Sequence, residues 1–232
     1  MPIENKKQWC KLLRKAKKGE PEAQFEVASY YADGLCNKAG ETVVPKKLKQ
    51  AFHWYLLSAK QGNESAQVAV GNALSTGVGT ERDFEKAIRW TKKAIKQGAA
   101  HAAYNLGTIY RDLQKPKLAF KWYCRSAKMG DNDALLEVAF CQLFGFGTKQ
   151  NPKEAYKIFT RILEFNFPKE ICENTNEEAQ YWLGILHLLG IGSVKRSVKK
   201  ARKYLEAANK DGDHKQANNV LNLIGKTEYI KT

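Results

Sequence analysis

One segment recurs five times along the chain, and its period of roughly 30 to 45 residues constrains the fold more than any other feature. It is clearest as Ala102-Ala-Tyr-Asn-Leu-Gly107-Thr-Ile-Tyr110, followed by Lys117-Leu-Ala119-Phe-Lys-Trp122-Tyr123-Cys-Arg-Ser-Ala127-Lys-Met-Gly130. Set in register, the copies place Ala23, Ala66, Ala102, Ala134 and Ala179 at one position, each with a second small residue five places on: Ala28, Gly71, Gly107, Ala139 and Gly184. Two small residues at that spacing let a facing helix approach closely, which defines a first helix, A. A second helix, B, carries Ala51, Ala87, Ala119, Ala155 and Ala201, mostly followed three residues later by a large ring: Trp54, Trp90, Trp122 and Tyr204.

Stops and starts agree with this register. Eleven residues after the helix-B alanine stand Gly62, Gly98, Gly130, Asn166 and Gly212, residue types that enter the left-handed conformation ending a helix. Helix B opens on Asp83, Asn151 and Ser197, and Asn151-Pro152-Lys153-Glu154 reads as an N-cap, a proline at the first helical position and a glutamate placed to bond back in a capping box. Helix A opens on Asn63, Asp131 and Asn176. Between the helices lie Gly77-Val-Gly79, Gly145-Phe-Gly147 and Gly190-Ile-Gly192. None follows a strand or continues as a dinucleotide fingerprint, so these are turns of the repeat and not phosphate loops.

The pattern A-x-x-x-L-G-x-x-Y-x-x-G-x-G followed by K-A-x-x-W-Y-x-x-A-A-x-x-G resembles the Sel1-like repeat family, a relative of the tetratricopeptide repeats, over about residues 20 to 224. The resemblance implies an all-α fold, a right-handed alpha-alpha superhelix or solenoid of about five helix-turn-helix repeats. It also implies roles as adaptor, as signalling regulator, as host-interaction factor or as immunity protein paired with a toxin. Three copies depart from the pattern. Copy one has Gly34-Leu-Cys and an insertion reaching about Leu48, copy three replaces the glycine turn by Asp112-Leu-Gln-Lys-Pro116, and copy four gains Glu164 to Thr175.

A chain of 232 residues is ample for such an array, in which each repeat buries its apolar stripe only against its neighbours. The expected organisation is an N-terminal capping helix in 1–19, repeats at 20–62, 63–98, 99–130, 131–175 and 176–216, and a C-terminal capping helix and tail in 217–232. The caps are read from Trp9, Leu12, Leu13 and Ala16 on one helical stripe and from Ala217, Val220, Leu221 and Ile224 on another. About twelve helices and no sheet are expected.

No stretch approaches the ~18 apolar residues of a membrane span, and the amino terminus lacks an apolar leader core. These features point to a cytoplasmic protein. Five cysteines (Cys10, Cys36, Cys124, Cys141 and Cys172) form no CxxC and occupy no equivalent repeat positions, which favours free thiols over the disulfides of secreted relatives. His53, His101, His187 and His214 are scattered without metal-ligand or triad spacing. No catalytic residue, metal ligand or cofactor is therefore assigned, and the chain is not read as an enzyme.

Charge is the next signal, with 39 Lys and Arg against 24 Asp and Glu, a net +15. Lys195, Arg196, Lys199, Lys200, Arg202 and Lys203 form an acid-free block in the last helix B. Tetratricopeptide-like stacking puts helix B on the outer wall, so the convex face is expected to be basic. Rings interleaved with these cations for base stacking are not evident, which argues against nucleic acid; a solubilising face or contact with an acidic protein suits them better.

Helical periodicity places four positions of helix A on the opposite, concave wall. In copies one to three they are mostly polar or acidic, as at Tyr104 and Asp112. Copies four and five instead place Leu136, Phe140, Phe144, Tyr181, Ile185 and Leu189 there. A contiguous apolar strip marks an interface, and a helical groove suits an amphipathic helix or extended peptide; packing of these residues against one another is the competing reading. The function expected is a non-catalytic module that binds a partner protein or peptide through its concave helix-A surface. One alternative is a bacterial immunity protein neutralising a cognate toxin, and a second is nucleic-acid or anionic-membrane binding through the basic face.

Overall fold

The computed structural model describes residues 5–164 and 169–229, with the side chains of 169–173 and 226–229 excepted. Twelve α-helices occupy the described residues. Helix α1 (Lys6–Lys17) precedes the pairs α2 (Pro21–Asp33) with α3 (Leu48–Lys60), α4 (Glu64–Thr76) with α5 (Phe84–Gln97), and α6 (Ala100–Asp112) with α7 (Pro116–Lys128). The pairs α8 (Asn132–Phe144) with α9 (Pro152–Glu164) and α10 (Lys169–Leu189) with α11 (Val198–Ala208) follow, and α12 (Lys215–Tyr229) closes the chain. By their contacts the residues form two compact units, 1–109 and 110–232, with the division inside α6.

Within each unit a helix packs on its neighbours in the chain: α2 on α3, α3 on α4 and α4 on α5 in the first, and α7 on α8 through α11 on α12 in the second. The small residues of helix A make this possible. A β-carbon at Gly184 would lie 2.8 Å from Cγ of Leu205, and one at Gly71 would meet the Thr91 hydroxyl 2.5 Å away. Ala23, Ala66, Ala102, Ala134 and Ala179 are all buried, as are the helix-B alanines Ala51, Ala87, Ala119, Ala155 and Ala201.

The caps follow the expected chemistry. Asn63 and Asp131 accept the backbone N–H of Ala66 and Ala134 at 2.8 and 3.3 Å, and Asp83 and Ser197 cap α5 and α11 in the same way. Gly62, Gly98, Gly130 and Gly212 all adopt positive φ after a helix B, whereas Asn166 lies outside the described residues. In copy three, Gln114 at φ +55° takes the left-handed place that glycine holds elsewhere.

The Gly-x-Gly turns have two separate reasons for glycine. The first glycine ends helix A in the left-handed conformation, at φ +79°, +76° and +70° for Gly77, Gly145 and Gly190. The second is also left-handed and lies hard against the start of the preceding helix B. A β-carbon at Gly79 would overlap the Leu48 carbonyl, one at Gly147 the Pro116 carbonyl, and one at Gly192 would sit 2.7 Å from Cβ of Pro152.

Glutamines stitch the first unit. Gln24 donates to the Ala16 carbonyl at 3.1 Å and accepts from Gln61 at 2.8 Å. One repeat on, Gln67 donates to the Ala59 carbonyl at 3.3 Å and accepts from Gln97 at 2.9 Å. Each buried amide thus satisfies the last carbonyls of the helix before it and is held by the helix after it.

Three details differ from the sequence expectation. The insertion in copy one forms a small antiparallel hairpin of β1 (Leu35–Cys36) and β2 (Thr42–Val44), because Val43 and Val44 bury themselves in the cluster of Leu12, Ala16 and Val27. Asn176 does not start a helix; α10 begins at Lys169, and Thr175 in its body donates to the Asp133 carboxylate at 3.0 Å. At α9, Asn151 caps Glu154 N–H at 3.1 Å, but its own N–H goes to the Gln142 carbonyl at 2.6 Å and the Glu154 carboxylate pairs with Lys157. A backbone acceptor therefore takes the place of the reciprocal capping-box bond.

Candidate functional site

Along each helix A the face opposite the core alanines is exposed or half-buried at every assigned position from Glu22 to Leu189. In the first unit it carries Phe25, Ser29, Val68 and Asn72, with Tyr55 reaching over from α3. The Tyr55 ring packs 5.5 Å from Phe25, and its hydroxyl donates to Ser29 at 3.1 Å; burial pushes this phenol up despite the opposing Ser29 bond. Beside them a cavity of about 320 Å³ is walled by Phe52, Ala69, Ala73 and Val78. Tyr104 is half-buried and stacks on His101 at 5.4 Å, and Asp112 is exposed beside Arg111 at 3.7 Å.

In the second unit the six apolar residues divide. Phe144 and Leu189 are each 59% exposed, while Leu136, Phe140, Tyr181 and Ile185 are half-buried. Leu136 and Phe140 rest on the core of Leu143, Phe159, Ile162 and Leu183. Phe140 lies 5.9 Å from Phe159 and 5.8 Å from Trp182, and Tyr181 lies 5.4 Å from Trp182 and stacks on His214 at 5.0 Å. The rings pack on one another and still leave the ends of α8 and α10 bare. Burial, reinforced by the Glu178 carboxylate, raises the Tyr181 phenol.

Sequence reasoning missed Trp182, whose indole joins Phe140, Phe144 and Tyr181 and donates to Glu178 at 3.2 Å. It also passed over Phe146 and Ile191, exposed at the middle of their glycine turns as Val78 is. The signal was present: an apolar residue between two glycines in three copies, at a place where polar residues are the norm for turns.

The basic block lies on and before α11. Lys195, Arg196, Lys199, Lys200 and Lys203 are exposed and Arg202 is half-buried. Arg196 donates to the Leu188 carbonyl at 3.1 Å. On other B helices Lys93 and Arg125 lie over the rings of Trp90 and Trp122 at 4.2 and 5.0 Å, so those rings carry cations on their outer faces while packing from within. Among the described residues Cys10, Cys36, Cys124 and Cys141 are unpaired. Burial, with the Glu137 carboxylate nearby, pushes the Cys141 thiol up to about 12. No described helix is long and apolar enough to cross a membrane.

Helix pairs with close-packed alanines, left-handed glycine stops and seated Gly-x-Gly turns define an α-helical repeat protein of the tetratricopeptide-like class. Sel1 repeats match residues 21–63, 64–98, 100–131, 132–162 and 177–213, and the chain belongs to the Sel1 repeat family. It is similar to the chitin synthase regulator SKT5 of Malassezia restricta, 30% identical over 101 residues, and to activator of C kinase protein 1 of Saccharomyces cerevisiae, 26% identical over 140 residues. Those matches cover 44% and 54% of this chain but only 7% and 22% of the two relatives. In fold it is similar to the crystal structure of a Sel1 repeat protein from Oxalobacter formigenes, with a TM-score of 0.68 at 24% identity over 95% of this chain and 87% of the other. Similarity to proteins named as regulators supports an interaction module as the general role.

Proposed function

We propose that the chain holds a partner protein through its helix-A faces, with the ends of α8 and α10 as the principal grip, and that it does so without catalysis. The observation that carries this reading is the exposure of Phe144 and Leu189, each 59% accessible at the last residue of a helix A, next to the exposed Phe146 and Ile191. Large apolar groups cost solubility unless something covers them, and four in equivalent places of two successive repeats form a repeated contact. Trp182, Phe140 and Tyr181 brace this strip from below and leave few rotamers to freeze on binding, which favours affinity. The fitting partner is a helix or extended segment with matching apolar spacing. Tyr104, in the first unit, and Asp112, in the second, add polar groups to the helix-A surface of their own units. The four cysteines that are unpaired among the described residues suit a reducing, cytoplasmic setting.

The test is capture of partners by the full chain against the double variant Phe144→Asp with Leu189→Asp. Both side chains are mostly in water, so the melting temperature is expected to stay within a few degrees while capture is lost. Undiminished capture by a folded double variant would refute the assignment of this strip.

A further inference from the structure

A cavity of about 590 Å³ opens in the second unit between the start of α9, the end of α10 and the loop leading into α11. That volume lies in the range of small-molecule sites, roughly 300–1,000 Å³. Its cationic lining is Lys153 and Lys157 from α9 and Lys195, Arg196 and Lys200 from the other side, with no carboxylate among the described residues of its walls. Of these five, only Lys157 pairs with an acid among the described residues, at 3.2 Å from Glu154. Five cations converging on one concavity repel each other unless an anion joins them.

The back wall is built rather than incidental. His187 is only 4% exposed; its Nε2 lies 3.4 Å from the Tyr156 hydroxyl and its Nδ1 3.4 Å from the Lys195 carbonyl. Both ring nitrogens of His187 are thus engaged, which fixes the imidazole between Tyr156 and the loop that carries Lys195. Tyr204 stacks on the imidazole at 5.7 Å, with planes 9° apart. Two helix starts meet at the rim. Ser197 caps α11 by accepting the Lys200 N–H at 3.3 Å, and Gly192 brings the loop against Pro152 and the Lys153 nitrogen at the head of α9. The positive ends of both helices add to the field of the lysines.

The loop that lines the cavity departs from the repeat. From Gly192 to Ser197 is five steps, against four from Gly79 to Asp83 and four from Gly147 to Asn151. Ser193, in the longer loop, adopts a left-handed φ of +71°, a conformation that only the surrounding structure maintains in a non-glycine residue.

We propose that this cavity binds a small polyphosphorylated molecule, with Lys153, Lys157, Lys195, Arg196 and Lys200 clamping its phosphoryl groups and with Tyr156 and the buried His187 holding the wall behind them. One phosphate would fill a small part of the volume and neutralise at most two of the five charges, so several phosphoryl groups on one compact scaffold match both size and charge. The inference is independent of any partner on the helix-A faces.

Calorimetric titration of the full chain with inositol hexakisphosphate, and separately with inorganic phosphate, tests it. The expected result is one saturable site for the hexakisphosphate, weakened at least tenfold by Lys153→Glu with Lys200→Glu. The same charge change on α5, Lys92→Glu with Lys96→Glu, is expected to cost less than threefold. A single Lys195→Ala variant, which leaves the fold least perturbed, is expected to weaken binding at least threefold. Absence of saturable binding, an equal loss from the α5 variant, or inorganic phosphate binding as tightly as the hexakisphosphate would each overturn the proposal.

Discussion

The ring of Phe144 stands edge-on to the indole of Trp182, 5.4 Å between centroids and 83° between planes. Phe140, one helical turn earlier, also meets Trp182 but rests on the buried Phe159. Two phenylalanines four residues apart therefore do different work. Phe140→Ala is expected to lower unfolding free energy by about 2–4 kcal/mol, since it opens a void against a core ring, and Phe144→Ala by less than about 1 kcal/mol, since its ring is mostly in water. Urea unfolding of both variants checks this, and a greater loss for Phe144 would show the packing to be misread.

The second glycine of each turn is expected to tolerate nothing larger. Gly147→Ala places a methyl on the Pro116 carbonyl at a left-handed φ of +71°, so the loss should exceed about 2 kcal/mol. Gly130 has φ +96° but open space around it, and Gly130→Ala should cost about 1 kcal/mol from the backbone alone. Equal losses in chemical denaturation would mean that the turn does not bear on the helix before it.

Gln67 and Gln97 allow a third comparison. Replacing the buried Gln67 by Met keeps its volume but removes two hydrogen bonds, one to the Ala59 carbonyl and one from the Gln97 amide, a cost of about 1–3 kcal/mol in all. Gln97→Met, at an exposed position, should cost under about 1 kcal/mol. Thermal melts of the two variants order them, and the reverse order would contradict the bond network.

The buried thiol of Cys141 gives a pH-dependent outcome. Its folded pKa of about 12 exceeds the ordinary value of 9.0, so the neutral thiol favours the folded state. Its contribution is whole below pH 9 and is lost as pH rises toward 12. The stability difference between the native chain and Cys141→Ala should therefore shrink from pH ~7 to pH ~10.5. A constant difference would disprove the shift. Native thiol labelling should reach the exposed Cys10 and Cys36 well before Cys141.

Much of the fold is readable in the linear order of residues because a repeat prints the same packing problem five times. The alanine register, the caps at Asn63, Asp83 and Asp131, and the glycine stops all express one local geometry and need no knowledge of distant contacts. What escaped is non-local or has an alternative partner. The hairpin at Leu35–Cys36 exists because Val43 and Val44 find room beside Leu12, and α10 runs back past Asn176 to Lys169, with Thr175 finding Asp133. The division of the apolar strip into braced and bare members also depended on Trp182, which lies off the periodic face used to find the strip. The basic cavity draws on Lys153, His187 and Lys195 from three elements, and only the paired helices bring them together.

The seat of Gly147 on the head of α7, and of Gly192 on the head of α9, means that a single helical pair lacks half of the surface that locks its own bend. Dissection should respect this. A fragment cut just ahead of α8 would carry a turn with nothing to sit on, whereas one beginning at α7 keeps the anvil with the hammer, so the smallest autonomous piece is expected to extend beyond one pair.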